Sequence, residues 1–264
     1  LFMDTENNKH ILNVLDDEMY GATGVIPPDR DATLWRFMSF AKFLSLLESE
    51  SLYLTRIDGF DDKFEGAFPK KALEKWNATT ELLRQANDSK EFSDSYWERL
   101  RKNTFVQCWH MNSHESDGMW KLYGHIEEAV AIKTKAIKLL RAIHRDYGLF
   151  IGKVFYVDYD NDLGFPPVPS PVEPFFYKRK SFEHEKEVRV LIQQLFEPHY
   201  GREPLSEYGR NLSVDLELLI EEIVIAPFAP AWLFELMQSV VKRYGLDPSL
   251  VKRSVLNEAP SFPA

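Results

Sequence analysis

Two glutamates stand two residues apart, Glu185 and Glu187, in the run KRKSFEHEKEVRVLI at 178–192, where a basic cluster leads into closely spaced acids and then an apolar stretch. Read at a period of two, Glu185, Glu187 and Arg189 share one face of a strand, and Val188, Val190 and Ile192 share the other. Acids on alternate strand residues project side by side about 7 Å apart, close enough for both to reach one ligand. A carboxylate held against a ribose accepts hydrogen bonds from its hydroxyls. It also stabilises the positive charge that develops at the anomeric carbon, as in an oxocarbenium-like transition state. Arg189 on the same face would hold one of the acids ionised. The alternative reading is a solvated edge-strand face with ordinary ion pairs, and the basic run 178–180 reads likewise as solvated surface.

Other residues could bind rather than react. Arg36 sits in the apolar, aromatic context LWRFM, where its planar donors would suit a phosphate or carboxylate and the flanking rings could stack on a base. Equally, Arg36 could alternate outward from a half-buried strand and pair with an acid. In FVQCWHMNSHESDGMWKLYG, Trp120 and Tyr123 fall on one helical face, either as core or as an aromatic wall. His110, His114 and Glu115 invite a metal reading, but the spacing is not H-E-x-x-H and no cysteine pair accompanies it, so no metal is expected. Cys108, the one cysteine, lies in an apolar strand and reads as a buried thiol rather than a nucleophile. The chain contains no glycine-rich phosphate loop and no G-x-S-x-G elbow, which disfavours Walker-type and serine-hydrolase chemistry.

Several pieces, LWRFMSF, FDDKFEG, FVQCWH with MWKLYG, and YKRKSFEHEKEVR, resemble an uncharacterised, mostly bacterial domain-of-unknown-function family (DUF 2971). The resemblance runs roughly from Leu34 to Ile192 and implies a single composite domain in a bacterial cytoplasm. More distantly, the order of Arg36, the Cys108-Trp109-His110 strand and Glu185-Lys186-Glu187 is similar to ADP-ribosyltransferases of the arginine, serine, glutamate type. That likeness implies Arg36 on the phosphates of NAD, Glu187 on the nicotinamide ribose and Glu185 orienting an acceptor, with His110, Trp120 and Tyr123 lining the cofactor site. The family's serine-threonine-serine motif is missing, and His110 stands where a serine would be expected.

Positioning these groups requires an α+β domain with a mixed, mainly antiparallel sheet, flanking helices and a helical-hairpin insertion. The pattern gives strands at 34–38, 52–54, 104–110, 129–133, 150–159, 212–216, 223–225 and 251–256. Ser39 caps a helix carrying Phe40, Phe43, Leu44 and Leu47, and a helix at 231–244 is stopped by Gly245. Residues 1–31 read as an N-terminal arm and 32–264 as one domain, with the helical insertion at about 69–102 around Trp76, Leu82, Leu83, Tyr96, Trp97 and Leu100. The loop DGFDDKFEG, 58–66, reads as punctuation, and 160–175 and 197–211 read as loops.

A chain of 264 residues with 44% hydrophobic and 14% aromatic content can bury a large core, and no apolar run reaches membrane-spanning length. The single cysteine and the absence of a charged-then-apolar leader suit a cytoplasmic setting. A net charge of −9 disfavours nucleic acid and anionic membrane as partners. Three readings follow: an enzyme that transfers ADP-ribose from NAD or cleaves its glycosidic bond, a noncatalytic module of a bacterial defence or stress system that binds an anionic small molecule, nucleotide or protein, and a nuclease-like toxin using His110 or His114.

Overall fold

The structure is a computed structural model of the chain, and it describes residues 23–87, 94–123, 128–144, 149–162, 170–194 and 208–261. The expected arm over 1–22, the break near 88 and 89, and the loop segments 163–169 and 195–207 lie outside the described residues, as do the side chains of Trp76, Leu82, Leu83 and Tyr96. The strands are β1 Thr33–Ser39, β2 Ser51–Arg56, β3 Thr104–Met111, β4 Ala129–Lys135, β5 Leu149–Lys153, β6 Phe155–Val157, β7 Tyr177–Arg179, β8 Glu187–Gln193, β9 Gly209–Ser213, β10 Glu222–Ile225 and β11 Val251–Arg253. They alternate with helices at Phe40–Ser49, Lys70–Asn87, Asp94–Lys102, Asp117–Tyr123, Ala136–Ala142, Leu216–Leu219 and Ala231–Arg243. The fold is α+β, with a mixed, mainly antiparallel sheet, flanking helices and the two helices of the insertion. Among the described residues no helix is long and apolar enough to cross a membrane.

The chain forms two compact units. One contains Leu1–Pro28, Tyr53–Cys108 and Arg145–Asn211, and the other Asp29–Leu52, Trp109–His144 and Leu212–Ala264.

In the second unit β1 runs antiparallel to β4 along its whole length, from Thr33↔Lys135 to Ser39↔Ala129, and its start pairs with the end of β3 through Leu34↔Met111 and Trp35↔His110. β4 pairs antiparallel with β10, which takes β11 in parallel. A parallel neighbour needs a crossover, and the helix Ala231–Arg243 between β10 and β11 supplies it. That helix buries Leu233, Met237 and Val241, one per turn on a single face. It ends as expected at Gly245, whose φ of +80° lets Leu246 N–H reach Val241 O at 3.0 Å. The Ser39 hydroxyl accepts from Lys42 N–H at 3.4 Å, so the expected cap is present, and the helix it opens buries Phe43, Leu46 and Leu47.

In the first unit β8 pairs with β3 and with β5, the latter antiparallel from Leu149↔Ile192 to Lys153↔Val188. β6 and β7 form a separate parallel ribbon with Tyr156 opposite Lys178. The apolar core here gathers Phe175, Phe176, Val106, Leu191 and Ile57, and Trp97 stacks on Phe175 at 5.6 Å.

Three local expectations change. The strand 150–159 is two strands in different sheets, 212–216 divides into β9 and a short helix, and 251–256 is a strand only to Arg253. The reading of 185–192 as one half-solvated strand is also corrected. All seven residues of β8 are buried, because the charge-bearing side is covered within the same unit.

Candidate functional site

Five ionisable side chains meet inside the first unit: Glu65, Lys178, Glu185, Glu187 and Arg189, each less than a tenth exposed. They reach one another because three chain segments are folded against β8. The first is DGFDDKFEG, where Gly66 takes φ +73° and lets the loop turn so that Glu65 points inward. The second is β7, which carries Lys178. The third is the 3-10 turn Lys180–Glu185, which ends in Lys186 at φ 42°. A left-handed lysine is uncommon, and here it breaks the chain direction between the two glutamates.

Glu185 therefore closes the turn and Glu187 opens β8. They are not alternate residues of one strand, and neither lies on a solvated edge. Their carboxyls converge on a single cation: Lys178 Nζ donates to Glu185 Oε2 at 2.8 Å and to Glu187 Oε1 at 2.7 Å, with Glu65 Oε1 at 3.7 Å. The expectation of a solvated basic run at 178–180 fails at Lys178 for the same reason. Arg179 instead pairs with Asp62 at 3.1 Å and lies against the rings of Phe64 and Phe182, while Lys180 reaches Asp162 at 3.3 Å.

Below Lys178 sits Arg189, fully buried. Its Nε donates to Glu187 Oε2 at 2.8 Å, Nη1 to the carbonyl of Phe175 at 2.7 Å, and Nη2 to Glu65 Oε1 at 2.9 Å. A buried guanidinium is tolerated when its donors are satisfied in this way. The Glu187 backbone N–H is held by the Tyr156 hydroxyl at 2.8 Å, and the Phe182 ring covers the Lys178 ammonium at 4.9 Å.

The two glutamates titrate in opposite directions. Burial pushes Glu185 up, as does its hydrogen bond to Glu187, and Lys178 offsets these only in part. Burial acts on Glu187 in the same sense, but Arg189 and Lys178 together reverse it and hold this carboxyl well below the usual range. Burial works against the charge on Lys178, yet Glu187 and the hydrogen bonds to both glutamates raise it further above its ordinary value. Cys108 is half-buried rather than fully buried, and the apolar surroundings and then the Glu187 carboxylate push its thiol up, which keeps it protonated and a poor nucleophile. The cluster thus holds two neighbouring carboxyls whose proton affinities are pushed apart, the pattern by which distinct roles are divided between adjacent groups.

The remaining candidates belong to the second unit. Arg36 lies on β1, half-buried. His110 is buried on β3 with its ring edge toward Phe37 at 6.2 Å, and the same Phe37 meets Trp120 at 4.9 Å. Trp120 is fully buried and donates from Nε1 to Glu115 Oε1 at 2.6 Å, whereas Tyr123 is half exposed. The structure thus gathers His110 and Trp120 around one phenylalanine and gathers Glu185 and Glu187 around one lysine. Glu115 also accepts from Ser254 Oγ and from Val255 N–H, which occupies it as an internal clamp.

Sequence reasoning did not place Glu65 or Asp62 in a site, and it read Lys178 only as one of a basic surface run. The signal was available, since an F-D-D-x-F-E run with two phenylalanines is too apolar for simple loop punctuation. No family model, no curated protein and no solved structure matches the chain.

Proposed function

We propose that the Glu185–Glu187 pair acts on a ribosyl bond, with NAD as the substrate, releasing nicotinamide and passing ADP-ribose to water or to an acceptor hydroxyl. The observation that carries this reading is the convergence of both carboxyls on Lys178 Nζ, at 2.8 Å for Glu185 and 2.7 Å for Glu187. Glu187 remains an anion and stabilises the positive charge that develops at the anomeric carbon as the carbon–nitrogen bond to nicotinamide breaks. Nicotinamide departs as a neutral molecule, so no acid is needed for it. Glu185, whose proton affinity is raised above the ordinary carboxylate value, takes the proton of the attacking water or hydroxyl as the new carbon–oxygen bond forms. The reading uses the first unit alone, and the roles first considered for Arg36, His110, Trp120 and Tyr123 form no part of it.

Incubation with NAD followed by chromatographic detection of nicotinamide tests it. Glu187→Gln abolishes release, and Glu185→Gln lowers it by roughly 10²–10⁴-fold. Absence of nicotinamide from the wild-type reaction, together with no heat of NAD binding, removes the reading.

A second reading, a noncatalytic ligand- or protein-binding module, is favoured by one specific feature. Both oxygens of Glu187 already accept from cations, Lys178 on one side and Arg189 on the other, which is how an internal ionic keystone is built. In that case Glu187→Gln changes stability and leaves NAD untouched.

A further inference from the structure

We infer that Lys178 is a positioning residue of this site, its one ammonium holding the Glu185 carboxyl in place and linking the protonation of Glu185 to that of Glu187. The inference rests on the reading of those two carboxyls as the reacting groups, but its test does not need that reading to be right.

An ammonium has three donors. Here Glu187 Oε1 at 2.7 Å and Glu185 Oε2 at 2.8 Å each take one, and Glu65 Oε1 stands at 3.7 Å. The Phe182 ring lies over the same nitrogen, and only 8% of the lysine side chain is exposed. Its position is fixed from the backbone. Lys178 pairs across the β6–β7 ribbon with Tyr156, and the Tyr156 hydroxyl accepts the Glu187 N–H, so one ribbon sets both the ammonium and the start of β8.

The arrangement is asymmetric. Glu187 also accepts from Arg189 Nε at 2.8 Å, so loss of Lys178 leaves it with a cation. Glu185 would lose its ion pair and keep its hydrogen bond to the Glu187 carboxylate. The charged and titratable groups facing the pair are Glu65 from the DGFDDKFEG loop, Tyr156 from β6, Arg189 from β8 and Cys108 from β3. Of these, only Arg189 is a cation, and its Nε, Nη1 and Nη2 donate to Glu187, the Phe175 carbonyl and Glu65.

The test uses the full chain labelled with ¹³C at glutamate side-chain carboxyls and titrated by NMR. In the wild type, Glu185 and Glu187 titrate as an interacting pair with the upper step on Glu185. Lys178→Met moves that step to higher pH, and Lys178→Arg, which keeps the charge, returns it toward the wild-type position. With NAD, Lys178→Met lowers kcat by up to about a hundredfold at neutral pH with KM little changed, and the rising limb of the pH profile moves the same way.

A Glu185 step that stays in place in Lys178→Met while the melting temperature falls overturns the inference, because Lys178 is then structural only. If Lys178→Met does not fold, Glu187→Gln decides: a Glu185 step unmoved by that change shows no linkage and also overturns it. A step that moves as stated in a protein that releases no nicotinamide upholds the role of Lys178 and removes the proposed reaction.

Discussion

Glu65 Oε1 accepts a 2.9 Å hydrogen bond from Arg189 Nη2, joining a loop residue to a strand residue 124 positions away. Neither group sees solvent to any useful extent, so each depends on the other for its charge to be tolerated. Arg189→Met leaves Glu65 and Glu187 buried with one cation fewer and is expected to cost about 3–5 kcal/mol in urea denaturation. The double change Glu65→Leu with Arg189→Met removes both partners and costs clearly less than the two single changes added. Additive losses would show that the pair does not act as a unit.

Gly66 makes the turn that delivers Glu65. Its φ is +73°, and a Cβ there would lie 2.7 Å from Phe175 Cε1. The Phe175 ring cannot readily yield, because Trp97 stacks on it and the Phe175 carbonyl is bound to Arg189. Gly66→Ala therefore combines backbone strain with overpacking and should destabilise by about 1–3 kcal/mol. A lowered melting temperature and a changed near-ultraviolet dichroism from Trp97, whose Nε1 donates to Gly66 O at 3.1 Å, would register it.

The elements legible in the sequence were those whose signals are local. Ser39 caps its helix, Gly245 ends the last long one, and β1, β3, β4 and β10 fall close to the expected spans. The charged stretch was legible as important but not in its geometry. A period-two reading assumes an unbroken strand, and the left-handed Lys186 between the two glutamates breaks it without a glycine to announce the break. The burial of Arg189 and Lys178 was hidden for another reason. Their partners lie on the DGFDDKFEG loop and a neighbouring turn, and which distant carboxylate covers a strand face is decided by tertiary packing that no local period encodes.

Glu115 gives a prediction for the second unit. Its carboxylate receives Trp120 Nε1 at 2.6 Å, the Ser254 hydroxyl, and Val255 N–H at 3.1 Å. Glu115→Ala leaves a fully buried indole N–H without this acceptor and releases the chain after β11, at a cost of about 1–3 kcal/mol. Hydrogen exchange should quicken at the Val255 amide more than at amides within β10. Unchanged protection at Val255 would show that the clamp contributes nothing to order in that segment.

The opposite displacements of Glu185 and Glu187 give stability a pH dependence whose sign can be worked out. The folded-state affinity of Glu185 is raised, so its contribution is fully present below the ordinary glutamate value of 4.5 and is lost as pH rises through the folded-state value above it. That of Glu187 is lowered, so its contribution is present above 4.5 and is lost as pH falls through the depressed value. Glu185→Gln, which mimics the protonated form, should therefore gain stability relative to wild type as pH rises from acid toward neutral. Glu187→Gln should lose relative stability as pH rises through the acid range up to 4.5, since it discards the ionised partner of Lys178 and Arg189, whereas the Glu185→Gln gain lies above 4.5. Urea denaturation of the three proteins across a series of pH values measures both slopes. If the two variants trend in the same direction, the surroundings of Lys178 do not push the two carboxyls in opposite senses.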